Sequence, residues 1–135
     1  MTGWNVVLLV SVLVAADLVV LGAVLTLAGQ TWKRFVAKYP GQAELPGAER
    51  RRRQSISHGI CNWGWCFTIT RDVGHVHLEP GSFAGRFLGR QRASIPLEQL
   101  VAGMPAQIGP ERIPGSYVAV KLGMDTLKLP RWVFQ

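Results

Sequence analysis

Cys61 and Cys66, separated by four residues, and His75 and His77, separated by one, are the side chains whose types suit a metal ion. Thiolate and imidazole are the ligands of structural zinc, and a four-ligand site can be drawn from them. Their spacing speaks against it. In an unbroken strand Cys61 and Cys66 point to opposite faces, and their separation matches none of the usual zinc-finger frames unless Asn62 or Gly64 bends the chain. The competing reading is a solvated polar face with two ordinary cysteines, and no cofactor is expected. Ser57, His58 and Cys61 contain the types needed for a thiol nucleophile and its base, yet no positioning element accompanies them. The chain also lacks a nucleophile elbow, a Walker loop, a dinucleotide fingerprint and an H-E-x-x-H motif, so an enzyme is not expected.

These residues fall in a stretch, 54–135, that alternates apolar and polar with period two and is punctuated by Gly and Pro, the pattern of short antiparallel strands. A hairpin is the clearest unit. With Arg71, Asp72, Val73 and Gly74 as a four-residue loop and Gly74 at positive φ, Thr70 faces His75, Ile69 faces Val76, Phe67 faces Leu78 and Cys66 faces Glu79. The apolar residues then share one face, extended by Trp65, while Cys66, Thr68, Thr70, His75, His77 and Glu79 share the other. Further strands are expected at 55–60, 93–97, 116–122 and 126–129, with Gly123, Met124 and Asp125 turning between the last two. Six such strands suit a small barrel or sandwich, which would manage its strand edges.

Residues 1–31 read as a transmembrane α-helix that carries this mainly antiparallel β domain. From Trp4 to Gly29 the chain runs 26 residues with one charge, and about 20 suffice to cross a roughly 30 Å hydrocarbon core. Eight Val and seven Leu between Val6 and Leu27, at roughly −0.3 to −0.6 kcal/mol each, outweigh the roughly +2.5 to +3.5 kcal/mol of Asp17. No Lys or Arg precedes the stretch, while Lys33, Arg34 and Lys38 follow it. The positive-inside rule therefore predicts a single-pass protein of the inner membrane, N-terminus outside and β domain cytoplasmic. A cleaved signal peptide is the rival, but the basic n-region is missing and the run exceeds the about 7–15 residues of an h-region. A cytoplasmic domain also disfavours a disulfide. Asp17 either pairs with another helix or subunit inside the membrane, or stands alone, protonated or hydrated through local thinning of the bilayer.

Residues 32–53 join the two parts. Trp32, Phe35, Val36 and Tyr39 fall at i, i+3, i+4 and i+7, giving a helix face that either lies at the membrane interface or packs on the β domain. Pro40-Gly41 stops the helix, and the two Pro-Gly pairs of 40–49 read as a linker. Arg50, Arg51, Arg52 and Arg53 close it, each worth about 1 kcal/mol beside an anionic leaflet. The segment 82–92 mixes Phe83, Phe87 and Leu88 with Arg86, Arg90 and Arg92, and either dips into an interface or folds back on the domain. Beyond residue 32, fifteen bases meet seven acids and leave +8, which favours anionic partners. Beside an anchor an anionic phospholipid surface is the simplest of these. Nucleic acid is not expected, because no RRM, KH or cold-shock signature accompanies the basic residues.

The order of these motifs resembles an uncharacterised family of small bacterial single-pass membrane proteins. The residues that carry the likeness are Trp32, Phe35 or Val36, Ala37, Tyr39 and Pro40 after the apolar helix, then 74–78, Ile95-Pro96 ahead of Glu98 and Leu100, and 127–130. The likeness implies a C-terminal domain similar to bacterial PH or GRAM-like folds and assigns no activity. The arginine run departs from the family's pattern. The expectation is a non-enzymatic, membrane-anchored module that contacts anionic headgroups or a membrane-bound partner. The alternatives are an assembly subunit or homo-oligomer, in which Asp17 and open sheet edges meet other chains, and a metal or thiol site on the β domain.

Overall fold

The computed structural model of the protein describes residues 2–59, 61–104 and 117–135. The apolar stretch forms one unbroken helix, α1 (Gly3–Lys38), long and apolar enough to cross a membrane. At about 1.5 Å per residue its 36 residues extend about 54 Å. The expected spanning stretch and the expected juxtamembrane helix are thus one continuous rod, exposed in its first part and buried at its end. Apart from half-buried Leu25, its apolar side chains are exposed up to Leu27, and burial begins at Ala28. The Tyr39 N–H donates to the Phe35 carbonyl at 3.0 Å, and Pro40 ends the helix.

The strands are β1 (Glu49–His58), β2 (Cys61–Arg71), β3 (His75–Pro80), β4 (Ala93–Pro96), β5 (Tyr117–Leu122) and β6 (Asp125–Pro130). They form a single antiparallel sheet in the order β4-β3-β2-β1-β6-β5, curved into a half-barrel. Ile60 and Ser116, placed in strands by their sequence, lie outside the described residues. Two short helices, α2 (Gly85–Leu88) and α3 (Leu97–Ala102), flank β4, and a closing 3-10 turn covers Arg131–Phe134. Alternation produces the inner face: in β5, Val118, Val120 and Leu122 are buried while Tyr117, Ala119 and Lys121 are exposed.

What fills the half-barrel is the end of α1. Trp32 and Phe35 are 2% and 1% exposed and pack with Ile56, Phe67, Ile69, Leu78 and Leu129 in one core. The Trp32 ring meets Phe67 edge-on at 5.3 Å and stacks on Phe35 at 5.6 Å. Of the two readings of the Trp32, Phe35, Val36, Tyr39 face, packing on the domain is the one observed.

Among the described residues the half-barrel does not close, and both edges are met by backbone. Ser94 N–H donates to the Tyr39 carbonyl at 3.0 Å along β4, and Lys121 N–H donates to the Gly103 carbonyl at 3.0 Å along β5. A Cβ on Gly103 would lie 2.2 Å from the Lys121 oxygen, so this approach requires glycine. The edges expected to meet other chains are therefore partly occupied.

The β2–β3 hairpin differs from expectation by two residues. Thr70 pairs with His77, Ile69 with Leu78 and Phe67 with Pro80, leaving Asp72, Val73 and Gly74 as the loop. Asp72 shortens it, because its Oδ1 accepts the N–H groups of Gly74 at 2.8 Å and His75 at 2.7 Å. Gly74 needs no positive φ. A shift of two preserves the faces, so Phe67, Ile69, Val76 and Leu78 still point into the core.

Candidate functional site

The arginine run lies in β1, with Arg50 opposite Thr70 and Arg51 opposite Ile69, so it is strand rather than the end of a linker. The pairing then breaks twice, between Arg51 and Gln54 and between Gln54 and Ile56. Arg52 and Arg53 together face Thr68, and Ser55 alone faces the stretch Gly64, Trp65 and Cys66. Such bulges re-aim side chains. Arg53 and Trp65 both adopt φ 54°, the only non-glycine residues with positive φ among the described residues. Each such conformation costs about 1–3 kcal/mol. Trp65, expected to extend the apolar face, is thereby turned outward and is 79% exposed.

Between these bulges and the turn after β3 lies a groove of about 430 Å³ lined by Arg52, Arg53, Trp65, Cys66, Ser82 and Phe83, among others. Phe83 is 61% exposed and meets the Phe87 ring at 5.5 Å. Phe87 belongs to α2, whose backbone touches α1: a Cβ on Gly29 would lie 2.7 Å from the Phe87 carbonyl oxygen. The backbone of α2, which carries Arg86 and Phe87, therefore lies beside the turn of α1 where the exposed apolar surface ends. Ala84 and Leu88 anchor the segment in the core while Phe83, Arg86, Phe87 and Arg90 remain exposed. Comparisons with protein families, curated proteins and solved structures find no match. The chemistry of the site therefore rests on its own side chains.

The seven candidate arginines divide by partner. Arg92 Nη2 lies 3.0 Å from Glu44 Oε1 and 3.3 Å from Glu79 Oε2, and Arg50 Nη2 lies 3.4 Å from the same Glu79 oxygen. Arg51 pairs with Glu49 at 2.7 Å and lies over the Trp132 ring at 4.4 Å. Arg52, Arg53, Arg86 and Arg90 have no acidic partner among the described residues. Their charge is available to an external anion.

The four metal candidates are not brought together. His75 and His77 stack at 5.9 Å, but both ring nitrogens of His77 are already bonded. Cys66 Sγ donates to the Gly64 carbonyl at 3.0 Å, and no group of three His, Cys, Asp or Glu among the described residues has a metal-holding arrangement. His58 pairs with Cys61 across the β1–β2 hairpin, yet its ring lies 4.7 Å from that of Phe35, and the void it lines beside Cys61 is only about 10 Å³. That is too small for a substrate. Burial lowers the pKa of His58, and the attraction of Asp125, 3.5 Å away, does not compensate.

One polar cluster escapes sequence reasoning. His77, expected on a solvated face, is 1% exposed and joins Ser94 Oγ to Nδ1 at 2.7 Å and Asp72 Oδ2 to Nε2 at 2.8 Å. Asp72 as a carboxylate can only accept, so Nε2 donates to it, and Nδ1 shares the second bond with the Ser94 hydroxyl. Ser94 Oγ in turn accepts the Gln42 N–H at 2.8 Å, and Asp72 Oδ2 accepts that of Leu45 at 3.0 Å. The supposed linker is thus a strap held across β3 and β4. Burial by itself would raise the Asp72 pKa, but the hydrogen bonds from His77, Leu45, Gly74 and His75 prevail and hold its carboxyl well below the usual carboxylate range. Ser, His and Asp here resemble a hydrolytic triad in type only. Ser94 is 2% exposed and is capped by the strap, so this hydroxyl fastens rather than attacks.

Proposed function

We propose that α1 crosses the inner membrane with its N-terminus outside, and that the β domain is a non-enzymatic cytoplasmic module seated on anionic headgroups. The observation that carries this reading is the close approach of Gly29 to Phe87. The exposed apolar part of α1, residues 4–27, spans about 36 Å at 1.5 Å per residue, enough for the roughly 30 Å core. Its end falls at headgroup level, where α2 would present Phe83 and Phe87 to the interface and Arg86 and Arg90 to phosphates. Lys33 and Arg34, both exposed, follow at once.

The test uses the full chain in nanodiscs of neutral lipid or of neutral lipid mixed with phosphatidylglycerol. Amide exchange in 82–92 is read on the bonded N–H groups of Gly85, Leu88 and Gly89. Anionic lipid should slow it, and high salt should reverse the effect. Arg86→Gln with Arg90→Gln should remove about 2 kcal/mol of contact, roughly a thirtyfold change in the bound fraction's equilibrium. Equal exchange in the two lipids would sink the proposal.

An assembly role is the second reading, favoured by Asp17, exposed at the middle of a span none of whose residues is buried. An ionisable group there calls for a partner in the membrane. Crosslinking in membranes should yield a homo-oligomer or hetero-complex that Asp17→Ala abolishes; an unchanged pattern would remove this role.

A further inference from the structure

The groove at Arg53 and Trp65 asks for more than a general attraction to the membrane. We infer that it is a discrete site for the phosphate of one anionic glycerophospholipid, an assignment that rests on the membrane seating proposed above. Its volume of about 430 Å³ falls within the roughly 300–1,000 Å³ of small-ligand clefts. Arg52 and Arg53, adjacent and without acidic partners among the described residues, both line it, and guanidinium is the side chain that grips phosphate oxygens in pairs. Ser82 adds a hydroxyl. The exposed rings of Trp65 and Phe83 offer apolar walls for the glycerol and the first acyl methylenes, which a free phosphate would leave unused.

Two features set this site apart from the rest of the basic surface. Arg50, Arg51 and Arg92 are tied to acids, while Arg52 and Arg53 are not, so the charge left over in β1 is confined to the groove. Among the described residues the backbone strain is confined there too, since the two left-handed non-glycine residues are Arg53 and Trp65. Phe83 links the groove to the α2 turn through Phe87, so a lipid in the groove would belong to the same leaflet that α2 meets.

The experiment extracts the full chain from nanodiscs containing phosphatidylglycerol and phosphatidylcholine and counts retained lipid by native mass spectrometry. Wild type should keep one phosphatidylglycerol under detergent conditions that strip phosphatidylcholine. Arg52→Gln with Arg53→Gln should lower that retention about tenfold or more, whereas Arg86→Gln with Arg90→Gln should change it by less than about twofold. Arg53→Gly relieves the left-handed strain, so it should raise the melting temperature while lowering lipid retention. Retention unchanged in the Arg52/Arg53 variant, or unchanged in Arg53→Gly, would overturn the site. Complete displacement by soluble glycerol 3-phosphate at matched phosphate would also overturn it, by assigning the groove to a soluble phosphate. Loss of the α2 exchange response with lipid retention intact would remove the surface contact and leave the groove, and the opposite result would do the reverse.

Discussion

Replacing Trp32 with alanine is expected to cost the β domain about 3–5 kcal/mol, although Trp32 belongs to the helix and not to the sheet. The ring is 2% exposed, meets Phe67 edge-on, stacks on Phe35 and donates its indole N–H to the Gln91 carbonyl at 3.3 Å. Truncation opens a cavity in the core that the end of α1 shares with the sheet. Since 1 kcal/mol shifts a domain of this size by about 4–8 °C, melting in detergent should fall by more than about 12 °C. Trp65→Ala, at an exposed site, should change it little or raise it. A Trp32→Ala protein melting with the wild type would show that the helix end is not part of the core. The same packing means that removing residues 1–40 takes two of the largest core side chains with it, so the sheet and the end of α1 form one core.

Side-chain periodicity made most of the sheet legible. Strands β5 and β6 alternate cleanly, and a turn at Gly123 and Met124 separates them, one residue shorter than expected because Asp125 already pairs with Leu122. The helix face of Trp32, Phe35 and Tyr39 was equally clear, but a spacing names a face and not its partner, and bilayer interface and protein core demand the same apolar residues. The hairpin register slipped by two because such a slip leaves every side chain on its own face, where the apolar pattern cannot detect it. Asp72 at the head of the loop was the available signal, through its habit of bonding the amides that follow it.

The candidate site was half visible. Arg52, Arg53 and Phe83 stood out by type, but nothing in the sequence marks a bulge, so Trp65 was assigned to the wrong side of the sheet. The start of β1 was hidden for a related reason: side chains exposed throughout Glu49–Arg53 leave no apolar alternation to read. The strap was the least legible part. It is held chiefly by its backbone amides, Gln42 N–H and Leu45 N–H, and a search of side-chain types passes over such groups. His77 was misplaced with it, since a polar residue in a strand reads as solvated unless something is known to cover it.

Asp72→Ala is expected to be the most damaging polar substitution, at about 3–4 kcal/mol. One carboxylate satisfies His77 and the amides of Leu45, Gly74 and His75, and its removal leaves several buried or half-buried donors unpaired at once. Ser94→Ala removes a single link to the strap and should cost about 1 kcal/mol, so the ratio between the two measures how far Asp72 is the centre of the cluster. The same carboxylate sets the acid limit of the fold. Its folded pKa lies below the ordinary value of 3.8, so the unfolded chain takes up the proton first, and this stability is complete above about pH 4 and lost as pH falls below it. His58 acts earlier and with the same sign. Burial lowers its pKa from the ordinary 6.5, the unfolded state protonates first, and stability declines as pH drops below that value even though Asp125 favours the charged ring and Lys38 opposes it. Melting temperature followed from pH 8 to pH 3 should therefore descend in two steps, at about 6.5 and lower for His58 and below about 4 for Asp72. Asp72→Asn should start lower and lose the second step, and His58→Gln should lose the first. A wild-type profile flat across that range would mean that neither group is held in the protonation state its surroundings impose. A lost second step in Ser94→Ala, where Asp72 and its amides are intact, would assign the acid limit to the strap itself.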